Sequence, residues 1–590
     1  MEEDEIRDKI WDFCWLIGLK NAVEFGGTPN KRAIIGKVMR DYPELRPYAM
    51  QVNSIVDEII EEISSLSLEE QERMLLNVEP SALDKKEKIK EEKELPELPN
   101  LDIYDKLIMR LAPYPSGALH IGNARMVVLN NEYVNKHDGE VFLFYDDTIG
   151  SPKSLRNTPK AKYVLPEAYD LIKNGLEWLG VKYTKVFYKS DRLELYYEYC
   201  EKLIKDEMAY VCFCTAGDFK KKYKDQKKSC PHRDQSVEKN LEEWRNMLDG
   251  KYEETTAVVR LKTGMDQKDP AVRDNIIMRI SEAEHPRVGN KYIVWPMLEF
   301  SWAIDDHLIG VTHIIRGADL IKEDFIEDFV WDHFGWKKAE FLHYGRIKFP
   351  NMKLSKTDAR NNIQEGVYEG WDDPRTWSLQ SLKKRGFKPE ALKESLLSLG
   401  MSMSGITFST GWLYSKNKDL IDEISDRYFF VENPVLLDID EVPFEQYMAE
   451  PLLLPSNPKK GKRIIKGKVS NKKLKILISK KDANKLKVGQ ILRLKDLINI
   501  QILSIDLKNN KITSYYHSLE LNREYSIIHW VPNDNKIKVK ILKPDGFVSS
   551  GYGEINLKSV PLNTPIQFER YGFVNPIKLE NDELFCYFTH

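Results

Sequence analysis

Between Lys106 and Lys136 the chain reads as an apolar run, a Pro/Gly turn and a helix, and this unit constrains the fold more than any other stretch. Lys106–Ala112 has strand character, Pro113-Tyr-Pro-Ser-Gly117 breaks it, and a helix opens near His120. His120 and Asn123 are three apart, so their side chains are expected on one face of the first turn. That turn offers unpaired backbone N–H groups and the positive end of the helix dipole, which suit a phosphate. Far downstream, Lys353-Leu-Ser-Lys-Thr357 puts two lysines on a loop able to bring positive charge to the same phosphates. A histidine three residues before an asparagine is, alone, an ordinary helix start. The two elements in this order predict a nucleotidyl-transfer site.

From Leu101 strand and helix alternate: strand Leu107–Ala112, helix Ile121–Lys136, strand Glu140–Tyr145, helix Pro159–Leu179, strand Tyr183–Phe187 and helix Leu193–Lys205. This rhythm implies a parallel sheet with ligands at the carboxyl ends of its strands, where His120 and Asp146 fall. It breaks near Tyr210 and returns near Ile293, which makes 207–290 an insertion between two halves of one domain, 101–206 and 291–345. Residues 1–83 read as helices, over Glu5–Phe25, from Thr28-Pro-Asn to about Arg40, over Met50–Ser64, and again from a capping box at Ser67-Leu-Glu-Glu70. Residues 84–100, dense in Lys and Glu and closed by prolines, read as a solvated linker. Residues 346–430 carry the Lys-rich loop and a helical connector, with helices at Pro389–Leu399 and Asp419–Ser425. From 431 to 590 short β-branched runs alternate with turn signals, among them Leu474–Ser479, Ile491–Leu494 and Ile537–Leu542, a pattern of β-barrels.

At 590 residues the chain is long enough for roughly four domains. Its 42% apolar and 31% charged residues are globular values. No stretch approaches the roughly 20 apolar residues of a membrane span. The acidic start Met1-Glu-Glu-Asp-Glu5 argues against a targeting peptide, and six cysteines make no disulfide framework, so a cytoplasmic protein is expected. The net charge of −3 hides an asymmetry, since Lys459–Lys495 holds fifteen Lys/Arg against one Asp. That stretch is either a solvated basic surface or a nucleic-acid face, and polyanion binding favours the second. Lys472, Lys473, Lys475 and Arg493 are its candidate RNA contacts.

Within the insertion, Cys212-Phe-Cys214 and Cys230-Pro-His232 form two close pairs separated by 15 residues. Three thiols and an imidazole can close a tetrahedral Zn²⁺ site, structural because no position stays open. Reduced, buried cysteines beside a surface histidine are the alternative.

HIGN at His120–Asn123 and KLSKT at Lys353–Thr357 resemble the HIGH and KMSKS signatures of class I aminoacyl-tRNA synthetases. Further stretches resemble the glutamyl/glutaminyl subgroup, and within it the archaeal-type glutamyl-tRNA synthetases. They include Asp146-Asp-Thr148, Cys230-Pro-His-Arg233, Ala271-Val-Arg-Asp274, Asp305–Gly317, Gly370-Trp-Asp-Asp-Pro-Arg375, Arg427-Tyr-Phe-Phe430, His529-Trp-Val-Pro532 and Phe568–Val574. The β-rich end matches the archaeal and eukaryotic branch, because bacterial members carry a helical anticodon domain. The fold implied is multidomain: a Rossmann-type α/β catalytic core, an inserted acceptor-binding domain, an N-terminal helical domain and a C-terminal β-barrel anticodon-binding region.

The resemblance implies ATP-dependent activation of L-glutamate and its transfer to tRNA(Glu), with tRNA(Gln) as a further substrate in some archaeal members. It places ATP against Pro113, Gly117, His120, Gly122, Asn123 and Lys356, with His120, Asn123, Lys353 and Lys356 catalytic and Mg²⁺ sharing the phosphate charge. Glutamate falls to Arg110 for its side chain, Arg316 as a second pocket arginine, and Asp146 for its amine. Arg316 is alternatively a partner of Asp305, Asp306 or Asp319. A monomer is expected, and the N-terminal helices are either a protein-docking module or a brace. The chain departs from the pattern at Asn123, in place of the signature's last histidine, and at Phe144 and Ile149-Gly150 around the acidic motif. Leu298 and Trp302 stand where the pocket has a tyrosine and a small polar residue. Two alternatives therefore stay open: a glutaminyl-tRNA synthetase, and a tRNA-binding paralogue with weakened catalysis.

Overall fold

A computed structural model describes residues 3–24, 28–67, 70, 71, 74, 75, 95–148, 150, 151, 153–350 and 352–590. The chain forms two compact units, residues 1–91 and 92–590.

The first unit is helical, with α1 (Glu3–Glu24), α2 (Lys31–Asp41) and α3 (Ala49–Ser65). Asn30 caps α2 by accepting from the Ala33 N–H at 3.1 Å, so this helix starts three residues later than Thr28. α3 buries Val52, Ile55, Val56, Ile59 and Ile63, a three-and-four spacing, against Ile10 and Ile17 of α1. The expected capping box is formed: Ser67 N–H donates to the Glu70 carboxylate at 2.8 Å and Glu70 N–H to the Ser67 Oγ at 3.3 Å. Leu68, Glu69 and most of the charged linker lie outside the described residues.

The second unit opens with three parallel strands, β1 (Ile108–Leu111), β2 (Glu140–Tyr145) and β3 (Lys185–Tyr188). β2 is buried along nearly its whole length, as a strand covered on both faces must be. The helices are α4 (Ile121–Lys136), α5 (Pro166–Trp178) and α6 (Leu193–Lys205). α5 is shorter than the predicted Pro159–Leu179, because residues 159–165 form an irregular strap and Pro166 occupies the first turn.

An antiparallel sheet follows, β4 (Ala209–Cys212), β5 (Val258–Leu261), β6 (Ile276–Ile280) and β7 (Val294–Pro296), with α7 (Val237–Leu248). The chain then returns through α8 (Leu298–Leu308) to the parallel pair β8 (His313–Gly317) and β9 (Glu340–Tyr344), with α9 (Ile321–Phe334) between them. Thr312 seats β8 beside β1: its N–H donates to the Ile108 carbonyl at 2.9 Å, and its Oγ1 accepts from the Ile108 N–H at 3.0 Å. Through this contact the three-stranded and two-stranded sheets lie side by side in the order β3-β2-β1-β8-β9, which reverses at β1.

Beyond β9 come α10 (Lys356–Gln364), α11 (Leu379–Lys384), α12 (Pro389–Leu397) and α13 (Thr410–Ile421). α13 begins nine residues ahead of the predicted Asp419, because Ser409 caps it by accepting from the Trp412 N–H at 3.2 Å. Two seven-stranded mixed sheets, with a two-stranded ribbon of Gln446–Ala449 and Ile465–Lys468, form the C-terminal region, the barrel-like architecture expected. Each has its own core, one around Ile476, Ile500 and Trp530, the other around Phe430, Ile541 and Phe568. Among the described residues no helix is long and apolar enough to cross a membrane.

Candidate active site

The carboxyl ends of β1 and β2 and the first turn of α4 face a cleft of about 940 Å³. It lies where the strand order reverses and the connections from β1 and β8 diverge, the place a doubly wound sheet leaves open. Backbone pairing fixes the entrance: Ile121 N–H donates to the Trp377 carbonyl at 3.0 Å, and Leu379 N–H to that of Leu119 at 2.8 Å.

His120 is the N-cap of α4. Its Nδ1 accepts from the Gly122 N–H at 3.1 Å, and the Asn123 Oδ1 accepts from the His120 N–H at 3.4 Å. The two side chains do not simply project together from one helical face; each also spends an acceptor on the helix start. With Nδ1 accepting, the ring proton sits on Nε2 and leaves a donor on the other edge. Burial, helped by the charge of Lys356, lowers the His120 pKa to about 3, so the ring stays neutral at working pH. Gly117 has φ +138°, and a Cβ there would meet the Trp371 ring at 2.1 Å. A Cβ on Gly122 would press on the His120 ring at 2.9 Å.

Lys356 is the first residue of α10, not a loop residue; Ser355 caps this helix by accepting from the Asp358 N–H at 3.1 Å. The Lys356 Nζ reaches back to the carbonyls of Tyr114 at 3.5 Å and Gly117 at 3.4 Å. Burial lowers its pKa to about 8. The two distant motifs therefore share one cleft. Pro113, His120 and Asn123 line it with Lys356, whereas Lys353 is exposed and does not. Lys160, Lys162 and Arg279 also line it, and no motif had marked them. The two lysines lie in the strap read as helix, and Arg279 is one arginine in an ordinary strand.

Asp146, also on the cleft wall, donates its N–H to the Pro113 carbonyl at 3.2 Å, and its carboxylate lies 3.3 Å from the Lys189 Nζ. Lys189 is fully buried, and that burial lowers its pKa against the pull of Asp146 and Asp305. Trp302 carries both the Lys189 Nζ, 3.6 Å from its ring centre, and the Arg110 guanidinium at 3.5 Å.

The two arginines expected in the amino-acid pocket each meet a carboxylate of the protein. Arg110 grips Asp306 through Nε at 2.5 Å and Nη2 at 2.7 Å, so its fork is already filled by a buried carboxylate. Arg316 grips Glu327 through Nη1 and Nη2, at 2.8 and 2.9 Å, and lies 3.4 Å from Asp324; its ion pairs are with these two, and Asp306 acts on it by charge. Asp305 is taken by Arg192 and Tyr196. Neither arginine lines the cleft, and freeing either from its partner would strand a buried carboxylate.

In the insertion, the ligand atoms of Cys212, Cys214, Cys230 and His232 all lie within 4.8 Å of one another. Cys212 and Cys230 sulfurs are 3.9 Å apart, and His232 Nδ1 is 3.5 Å from the Cys214 sulfur and 3.9 Å from that of Cys230. Zn–S bonds of about 2.3 Å give tetrahedral edges of about 3.8 Å, so the cluster could hold zinc with little movement. These separations are far too long for disulfides, and all six cysteines are free.

In the C-terminal sheets Lys472, Lys473 and Lys475 are exposed, the first two at a turn where Asn471 and Lys472 have positive φ. Lys472 lies 3.8 Å from Glu441 and Lys473 2.9 Å from Asp440, both weak surface pairs. Arg493 is buried instead, donating to Asn499 Oδ1 at 3.0 Å and the Leu519 carbonyl at 3.2 Å, so it braces the sheet. Trp530 is likewise core, donating to the Lys495 carbonyl at 3.0 Å.

A doubly wound sheet with a capped helix start, and a lysine delivered to it from a distant helix, is an arrangement suited to a nucleotide's phosphates. The chain belongs to the class I tRNA synthetases (E and Q). The model of their catalytic domain matches residues 106–421, and models of their anti-codon binding domain match 425–521 and 527–576. Over 580 residues the chain is 41% identical to the glutamate–tRNA ligase of Pyrococcus furiosus, covering 97% of this chain and 98% of that one. It is 39% identical over 594 residues to that of Thermococcus kodakarensis, covering all of both, and 39% over 578 residues to that of Methanocaldococcus jannaschii, covering 97% and 99%.

Proposed function

We propose that this protein is a glutamate–tRNA ligase, activating L-glutamate with ATP and passing it to the 3′-terminal adenosine of tRNA(Glu), as a cytoplasmic monomer. The observation that carries the reading is the approach of Lys356 to the turn before His120, in a cleft walled by Asp146. Pro113, Gly117 and Gly122 shape the floor on which ATP lies. The His120 Nε2–H donates to its phosphates, which lie at the positive end of the α4 dipole, with Asn123 holding the turn; the first N–H groups of α4 are themselves taken by Trp377 and His120. Asp146 takes the amine of glutamate. The α-carboxylate attacks the α-phosphorus, and the Lys356 ammonium meets the charge that grows on the phosphate oxygens. Mg²⁺ would supply further positive charge there when bound; Asp146 is the only carboxylate among the described cleft residues, so the cleft itself would offer such a cation one carboxylate at most. Structural Zn²⁺ at Cys212, Cys214, Cys230 and His232 would rigidify the insertion that grips the acceptor end.

ATP–pyrophosphate exchange by the full chain with tRNA present tests the reading. Glutamate should support exchange; exchange with glutamine alone would overturn it. Acylation of tRNA(Glu) and tRNA(Gln) transcripts in parallel shows whether both are used.

A further inference from the structure

The described part of the strap joining β2 to α5 is irregular apart from one helical turn at Lys153–Arg156, yet it is pinned on three sides. Toward the insertion, the Lys153 N–H and the Arg156 guanidinium donate to the Glu254 carboxylate at 2.8 and 2.5 Å. Toward the first motif, Leu165 N–H donates to the Pro115 carbonyl at 2.9 Å. Toward the second, Arg360 and Asn361 of α10 donate to the carbonyls of Ala161 at 2.9 Å and Pro159 at 3.0 Å. The strap also closes on itself, with Ser151 N–H on the Lys162 carbonyl at 2.9 Å and Lys162 N–H on the Ser151 Oγ at 2.8 Å.

These pins fix the backbone of Lys160 and Lys162. Lys160 sits between two carbonyls held by the helix that bears Lys356, and Ala161 between the lysines is fully buried. The lysine side chains are exposed and line the same cleft as His120 and Lys356. Among the described residues of that cleft, Lys160, Lys162, Arg279 and Lys356 face a single carboxylate, Asp146. Such an excess of cations suits a polyanion larger than one phosphate. Lys353, from which the second phosphate cation was expected, lines no part of it.

We propose that Lys160 and Lys162 are catalytic residues that hold the β- and γ-phosphates of ATP, the pyrophosphate leaving group, in the role expected of Lys353. The inference rests on the ligase reading above. In the activation step an α-carboxylate oxygen of glutamate bonds to the α-phosphorus. The bond from that phosphorus to the bridging oxygen breaks, and its electron pair leaves with pyrophosphate. The two ammonium groups donate hydrogen bonds to the non-bridging oxygens that gain this charge, and they remain protonated throughout.

The test compares Lys160→Ala/Lys162→Ala and Lys160→Arg/Lys162→Arg in the full chain, by ATP–pyrophosphate exchange with glutamate and tRNA. The alanine pair should lower kcat/KM for ATP by at least about tenfold. The KM for glutamate and the melting temperature should hold, because both side chains are exposed, and the arginine pair should keep most of the rate. Lys353→Ala should cost less than the alanine pair. Unchanged exchange, equal losses in the alanine and arginine pairs, or a loss confined to transfer onto tRNA would each overturn the assignment. Absence of glutamate-dependent exchange in the parent chain would instead overturn the ligase reading itself.

Discussion

Replacing Lys356 by arginine should remove the alkaline limb of the exchange reaction. In the native chain burial lowers the Lys356 pKa from 10.5 to about 8. A shift of that size means that the site disfavours the ammonium by about 3 kcal/mol relative to water, which bound phosphates can return. The folded pKa lies below the unfolded one, so between about pH 8 and 10.5 the unfolded chain binds more protons, and this lysine makes stability rise with pH there. Activity runs the other way. The ammonium is present below about pH 8 and lost above it, so kcat/KM for ATP should fall about tenfold per pH unit beyond that point. A guanidinium stays charged throughout, so the arginine variant should show a flat profile even at a lower rate. Lys356→Met should cut exchange by about a hundredfold or more, while melting no lower than the parent because a costly buried charge is gone. The assay is exchange with tRNA present from about pH 6.5 to about 9.5 at constant ionic strength. A parent profile with no alkaline limb, or an arginine variant with the same limb, would refute the reasoning.

Arg110→Gln should destabilise the protein by about 3–5 kcal/mol, since it leaves the buried Asp306 unpaired; a variant melting like the parent with only the KM for glutamate raised would return Arg110 to a substrate role. One zinc per chain should be found by elemental analysis, lost in Cys230→Ser, and its removal by chelator should lower the melting temperature. Neutralising Lys472, Lys473 and Lys475 together should flatten the slope of log K against log salt for tRNA by about 2 to 3, and an unchanged slope would place the RNA elsewhere. Arg493→Ala should instead lower stability with little change in that slope, because its guanidinium faces Asn499 and not solvent.

Local elements were readable where one short-range rule decides them. The helix Ile121–Lys136, the strand Glu140–Tyr145 and the capping box at Ser67 each follow from periodicity or a cap, and the structure keeps them. The grouping of side chains was readable where a local motif sets it: His120 lies on the cleft, and the Cys/His quartet comes together. The partners of Arg110, Arg316 and Arg493 were not, since each is matched by a residue set by packing: Asp306 from α8, Glu327 from α9, and Asn499 across a hairpin. Nor was the strap, whose lysines gain a place in the cleft because Arg360 and Asn361, and Ser151 across the strap, hold the backbone beside them. The sequence alone determined which residues could bind a phosphate, a metal or a polyanion, because those capacities belong to side chains and short spacings. Tertiary structure decided which of those capacities are free for a ligand, because a buried charge first takes whatever opposite charge the fold brings within reach.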